Sequence, residues 1–306
     1  MTLLILGTIG LDTIETPFGK KQDILGGSAV HAAVSASFYT ETAIVGVAGS
    51  DFSKEHMDFL KSRKINTSGI SIMPGETFRW SGYYEYDMNQ AHTRDTKLNV
   101  YGKFEPKIPA DLLNSEYLFL ANLDPELQLK ILDQTKPKFA ALDTMNFWID
   151  TKRDFLHEAI KRVDFVLMNE GEIRQFMETP NLPLAASRLL KLGAKNVIVK
   201  KGEHGALLFT PNSHFSAPSY PQAALRDPTG AGDSFAGGFM GYLAKTGDLS
   251  ETNIRRAIVV GSVMASFNVE DFSLDRMKRL KFKEVLDRFG EFRRFSEFEA
   301  LSAVLS

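Results

Sequence analysis

The chain has 306 residues, enough for one large or two ordinary domains, with 43% apolar and 24% charged residues, the balance of a globular protein with an ample core. A formal net charge of −2 leaves no electrostatic footprint for nucleic acid, and no Lys/Arg block marks a membrane surface. Cysteine is absent, which excludes disulfides and thiolate chemistry.

The first residues, Met1 to Gly7, are apolar but too short to span a bilayer and lack a basic leader, so they read as a buried strand and the expected location is cytoplasmic. Further strand-like runs follow at 42–47, 117–121, 139–143, 165–169, 197–200 and 206–209. Helical patterns lie between them at 29–38, 54–63, 125–134, 152–162, 171–177 and 184–192. Wholly apolar strands separated by helices predict a mainly parallel sheet covered on both faces. The last third reads as helical, at 234–245, 251–267 and 283–292.

One region breaks the rhythm. Residues 78–86 alternate, with Phe78, Trp80, Gly82, Tyr84 and Tyr86 on one face, and 98–104 alternate again after a polar turn. This predicts an antiparallel hairpin which, with residues 12–18, forms a small sheet. Its aromatic face is either packing or a platform for a flat substrate group.

The most informative segment is residues 227–233, Asp-Pro-Thr-Gly-Ala-Gly-Asp, running into a helix. Small residues Gly230, Ala231 and Gly232 at a helix entrance let free backbone N–H groups converge on an anion. A carboxylate there, Asp233, would repel that anion unless its task is to take a proton from an alcohol attacking it. The pattern points to phosphoryl transfer onto a hydroxyl.

This segment resembles the C-terminal signature of the PfkB, ribokinase-like, carbohydrate kinases, and four further segments follow that family in order along nearly the whole chain. They are Gly10-Leu11-Asp12, the stretch Gly26 to Ala33, Asn169 to Glu172, and the Gly202/Gly205 turn between 197–200 and 206–209. The resemblance implies a single ribokinase-like domain over 1–306, a three-layer α/β/α sandwich with a mainly parallel central sheet plus a small antiparallel β lid from about 12–18 and 75–104. It implies ATP and Mg²⁺ as cofactors, K⁺ in many members, and a homodimer through the lid as an option. Asp233 is the implied base, with Gly230, Ala231 and Gly232 holding the transferred group.

Asp12, Gly26, Gly27, His31, Trp80 and Asn122 stand at implied substrate positions. Asn169, Lys200, Gly202, Gly205, Thr229, Ser262 and Ser266 stand at nucleotide positions. Glu172 and Asn169 would orient hydrated Mg²⁺, although the same pair also reads as an ordinary helix cap. Asp227 is the implied monovalent-cation contact, weakened because the turn at 268–272 lacks the usual Gly. Lys200 and Lys201 adjoin on a strand and point to opposite faces, so one of them faces phosphate; the sequence does not say which.

Two departures bear on the acceptor. Position 31 is His and position 10 is Gly where sugar-specific members carry Asn, which removes amide contacts to a polyol. With the aromatic face, this favours a nucleoside acceptor, as in adenosine kinase-like enzymes, over a sugar such as ribose or fructose. From other classes, a non-catalytic nucleotide-binding regulator is opposed by retention of Asp233 and Glu172. A nicotinamide-dependent dehydrogenase is opposed by a first turn without G-x-G-x-x-G spacing.

Overall fold

The computed structural model describes residues 1–297; positions 298–306 of the expected single domain lie outside them. The strands are β1 (Thr2–Leu6), β2 (Gly10–Thr16), β3 (Gly19–Gly26), β4 (Glu41–Gly49), β5 (Ile65–Met73), β6 (Phe78–Tyr84), β7 (Ala91–Lys97), β8 (Tyr117–Leu120), β9 (Phe139–Asp143), β10 (Phe165–Asn169), β11 (Val197–Lys200), β12 (Ala206–Phe209) and β13 (His214–Ala217). The helices are α1 (Ser28–Ala36), α2 (Lys54–Ser62), α3 (Pro125–Gln134), α4 (Asn146–Thr151), α5 (Arg153–Lys161), α6 (Glu170–Met177), α7 (Leu182–Lys191), α8 (Ala231–Thr246), α9 (Glu251–Asn268), α10 (Asp275–Arg279) and α11 (Phe282–Ser296).

The main sheet has nine strands in the order β13-β12-β11-β10-β9-β8-β1-β4-β5. All neighbours are parallel except the β11–β12 and β12–β13 pairs. Successive side chains of a strand serve opposite faces, and β1 shows it: Leu3 and Ile5 join the core under α1, α8 and α9, while Leu4 and Leu6 join the core under α3, α5, α6 and α7. Each buried Leu, Ile or Phe in these layers contributes roughly 1.5–3 kcal/mol.

Glycines on α8 bring the helix layer tight together. A Cβ on Gly237 would run into the Ala32 carbonyl of α1, and one on Gly238 would press on Met264 of α9. The small-residue character of α8 is therefore partly a packing requirement.

Strand order reverses beside β1: β4 and β5 extend to one side, β8 to β11 to the other. In open α/β sheets the crevice at such a reversal, beyond the carboxyl ends of the strands, is where ligands bind. The carboxyl ends of β8, β9, β10 and β11 carry Asn122 just beyond, Asp143, Asn169 and Lys200.

The lid is a four-stranded sheet in the order β3-β2-β6-β7. The β2–β3 and β6–β7 pairs are antiparallel, and β2 runs parallel to β6, placing Asp12 beside Trp80. Its limits, 10–26 and 78–97, differ from the expected 12–18 and 75–104. The charged strand β3 escaped sequence reading because an edge strand buries little and need not alternate. The same holds for β7, Ala-His-Thr-Arg-Asp-Thr-Lys, which takes the place of the expected arm at 98–104. There Asn99, at φ 48°, breaks the extended backbone into a short 3₁₀ turn (Asn99–Lys103), and its amide donates to the Thr77 carbonyl at 2.9 Å. Tyr86 lies beyond the strand and is 93% exposed, so it does not belong to the aromatic face.

Candidate active site

The α8 entrance is built by a turn that only glycine can make. Gly230 caps the helix at φ 75°, and a Cβ there would drive into the His31 imidazole. No side chain caps α8, so no side chain takes up the free amides of its first turn. The Ala231 N–H donates to the Pro228 carbonyl at 3.1 Å, so of the three small residues at the entrance this one has its amide already engaged.

Asp233 is half-buried in that first turn. Burial pushes its carboxyl up to about 7, Asp143 adds to the shift, and Lys200 opposes it. A carboxyl poised there can exchange a proton near neutrality.

Lys200 closes the opposite side. Its ammonium pairs with Asp143, and a Cβ on Gly232 would stand 3.1 Å from Nζ. Burial pulls this lysine down, but Asp143, Glu172 and Asp233 outweigh it and hold it above its ordinary value. Of the two adjoining lysines, Lys200 is thus the one aimed at the α8 entrance. Lys201 uses its backbone N–H to close the turn onto Gly205 at 2.8 Å.

Asp143 was not singled out from sequence. It closes the apolar strand β9 next to β10, and a carboxylate ending a buried strand beside the Asn169 strand was the signal available. It is 3% exposed, and burial raises its carboxyl despite Lys200.

Asn169 and Glu172 form a reciprocal cap on α6. The Asn169 side chain accepts from the Glu172 N–H at 2.8 Å, and the Glu172 carboxylate accepts from the Asn169 N–H at 2.7 Å. Burial raises Glu172 to about 8, with Lys200 opposing and Asp143 and Asp233 adding. The helix-cap reading therefore describes the pair's contacts, while the field of the site still reaches Glu172. Among the described residues no three acidic or histidine side chains converge to ligate an ion directly. Carboxylates around one lysine do suit a hard divalent cation held through water.

Asp12 is 5% exposed, and its carboxyl is pushed up to about 7 by burial and then by Asp227, against an amide bond from Gly27. Gly26 and Gly27 make room for the chain itself: a Cβ on Gly26 would strike the Asp12 carboxylate, and Gly27, at φ 97°, lies against the backbone of Thr8 and Gly10. The expected opening of this pair to substrate is thus taken up by Asp12 and the β1–β2 turn. Gly10 faces Phe78, with 3.0 Å for a Cβ, so an Asn there would press on that ring.

His31 does not open on the cleft. It is 1% exposed beneath the Gly230 turn, its Nδ1 lies 3.1 Å from the Asn268 Oδ1, and burial lowers it to about 4. Trp80 is half-buried, donates Nε1 to the Thr93 hydroxyl at 3.1 Å and packs on the lid cluster of Ile14, Tyr84, Met88 and Phe272. Tyr84 brings its hydroxyl to 3.2 Å from that of Thr229, tying the lid to the turn before Gly230. Asn122 accepts from the Trp148 indole at 3.0 Å and turns its NH₂ to the Met145 sulfur at 3.1 Å.

Gly202 and Gly205, at φ 54° and 83°, shape the turn after β11, and Asn89 of the lid donates to Glu203 of that turn at 2.9 Å. Ser262 and Ser266 lie on α9, each 8% exposed; Ser266 donates to the Val263 carbonyl at 2.7 Å and accepts from Arg288 at 3.0 Å. Asp227 has both oxygens engaged, accepting the Thr229 and Ser273 amides at 2.9 Å each.

Known proteins resemble this chain in sequence and in fold. Residues 19–277 match the pfkB family carbohydrate kinase. A cytidine kinase of Thermococcus kodakarensis is 31% identical over 257 residues, 82% of this chain and 91% of that protein. A deoxyribokinase of Salmonella typhi is 33% identical over 271 residues, 84% of this chain and 85% of that protein. The nucleoside kinase structure of Methanocaldococcus jannaschii superposes with a TM-score of 0.76 at 22% identity, covering 95% of this chain and 98% of that one. No helix among the described residues is long and apolar enough to cross a membrane. With the open α8 entrance, the perturbed Asp233 and the lysine opposite it, these matches make the chain a member of the pfkB carbohydrate kinase family, an ATP-dependent phosphotransferase that works with a divalent metal on a hydroxyl of a small molecule.

Proposed function

We propose that this chain phosphorylates the primary hydroxyl of a ribose-containing small molecule, and that the acceptor is a nucleoside, as for adenosine kinase-like enzymes. One observation carries the phosphoryl-transfer site: Asp233, raised to about 7, stands in the uncapped first turn of α8 opposite Lys200. The acceptor CH₂OH lies against Asp233, which takes its proton as the γ-phosphoryl group departs ATP. The Gly232 and Asp233 amides and Lys200 hold the moving charge. Mg²⁺, bound through water near Glu172, Asp143 and Asn169, supplies further neutralisation of the phosphates when present.

ATP runs along the Gly202/Gly205 turn toward the carboxyl half of α9, with Ser262 at its edge. Asp12, Trp80 and Asn122 hold the far end of the acceptor under the lid, whose closure keeps water from competing. His31 supports the Gly230 turn instead of touching substrate. K⁺ beside Asp227 has the least support, because the turn at 268–272 lacks the usual Gly. The whole of 1–306 forms one domain in this reading.

The Thermococcus cytidine kinase, matched over 91% of its length, supports the nucleoside. The Salmonella deoxyribokinase keeps a free pentose as the second reading. A panel of nucleosides and sugars, read by thermal shift and then by ATP turnover, separates them. We expect nucleosides to be turned over at least tenfold faster than ribose or deoxyribose at equal concentration. Faster use of a free pentose establishes the sugar reading, and ATP binding with no turnover on any acceptor leaves a regulator.

The lid could also pair two copies through its charged edge strands β3 and β7. Sedimentation equilibrium at assay concentration is expected to show a dimer that a Pro placed in β7, as Thr93→Pro, disperses; a wild-type monomer removes this pairing.

A further inference from the structure

We infer that Asn268, the last residue of α9, is a positioning residue that sets the catalytic turn, an inference that rests on the phosphotransferase site proposed above. Its carboxamide is fully buried and is shared by three elements. The NH₂ donates to the Thr229 carbonyl at 2.7 Å, on the entering side of the Gly230 turn. The oxygen accepts from the Ser234 hydroxyl at 3.0 Å, on the leaving side, and faces His31 Nδ1 of α1 at 3.1 Å.

These partners determine the orientation of the amide. A carbonyl can only accept, so the NH₂ must face Thr229, and the oxygen must face Ser234 and His31. His31, lowered to about 4 and so neutral, then carries its proton on Nδ1. The Nε2 atom has no partner among the described residues, and the Nδ1 side of the ring forms the wall behind Gly230. One side chain thus spans the residues between Thr229 and Ser234 and holds the Gly232 and Asp233 amides and the Asp233 carboxylate in register.

The arrangement matters because Gly230 is a hinge by chemistry. Its φ of 75° is one of several conformations a glycine visits freely, and nothing in its own side chain selects it. Asn268 and the His31 ring supply the selection from outside. The same residue ends the helix that the nucleotide is proposed to follow, so α9 and the catalytic turn are fastened to one another directly.

The test is Asn268→Asp, which preserves size and the acceptor toward Ser234 and His31 but sets an oxygen against the Thr229 carbonyl. Misplacement by about 1 Å can cost ~10²-fold in rate. We expect kcat to fall by roughly 30- to 100-fold while KM for ATP and for the acceptor stays within threefold. In an Asp233→Asn background the same change should add less than threefold, because a turn that no longer presents a base has little left to lose. Ser234→Ala, which removes one of the three bonds, should lower kcat by about three- to tenfold and serves alone if Asn268→Asp does not fold.

A folded Asn268→Asp enzyme with kcat within threefold of wild type overturns the inference, as does full additivity with Asp233→Asn or an unaltered Ser234→Ala enzyme. Wild-type turnover in Asp233→Asn itself is a different result: it removes the site reading on which the inference stands.

Discussion

Asp233→Asn is expected to lower kcat by about two to four orders of magnitude, the range a positioned general base contributes, with ATP affinity unchanged within a few-fold. The amide keeps the shape of the carboxylate, so the α8 entrance and its Gly232 amide persist. What disappears is the acceptor for the hydroxyl proton. Because the carboxyl titrates near 7 and must be ionised to act, wild-type kcat/KM should climb with pH through that region. The variant's residual rate should lack this limb. Steady-state kinetics across pH 5–9 with isothermal titration of ATP check both parts, and a variant with near wild-type turnover removes Asp233 from the chemistry.

Lys200→Met should cost about 10²- to 10³-fold in kcat/KM, the scale for losing one preorganised charge at the transition state. The pH dependence carries a sign. Two influences pull the Asp233 carboxyl down against burial and Asp143, and Lys200 is the larger, the backbone amide of Asp233 itself the smaller. Without it, Asp233 ionises only at higher pH, and the acid limb of kcat/KM moves upward. A limb that stays in place, or moves down, contradicts the proposed field. Stability should fall as well, since Asp143, 3% exposed, is left as an unpaired buried carboxylate. Breaking such a pair costs roughly 3–5 kcal/mol. The double variant Lys200→Met/Asp143→Asn should recover most of the lost melting temperature but not the lost turnover, which separates folding from chemistry.

The two variants draw on different parts of the chain's legibility. Asp233 was visible because carboxylate, glycines and helix onset are adjacent in sequence, and adjacency at a helix N-terminus already dictates the geometry. The central strands were legible for a similar reason: a strand buried on both faces must be apolar throughout. The edge strands β3 and β7 obey no such demand, and their polar runs carry no period to read. His31 was assigned to substrate from its place after the double glycine, yet α1 packs against α8 so closely that the ring lies beneath Gly230.

From its residues alone, this protein declares a mainly parallel sheet, a small-residue helix entrance at 230–233 that ends in a carboxylate, and the absence of thiol chemistry, because each follows from local pattern or composition. Tertiary structure alone decided that Lys200 rather than Lys201 faces that turn, that Asp143 partners it, and that Asn268 clamps Thr229 to Ser234. Those residues are separated by some thirty to sixty positions, and the partners of a buried charge or amide exist only once distant strands and helices have packed around it.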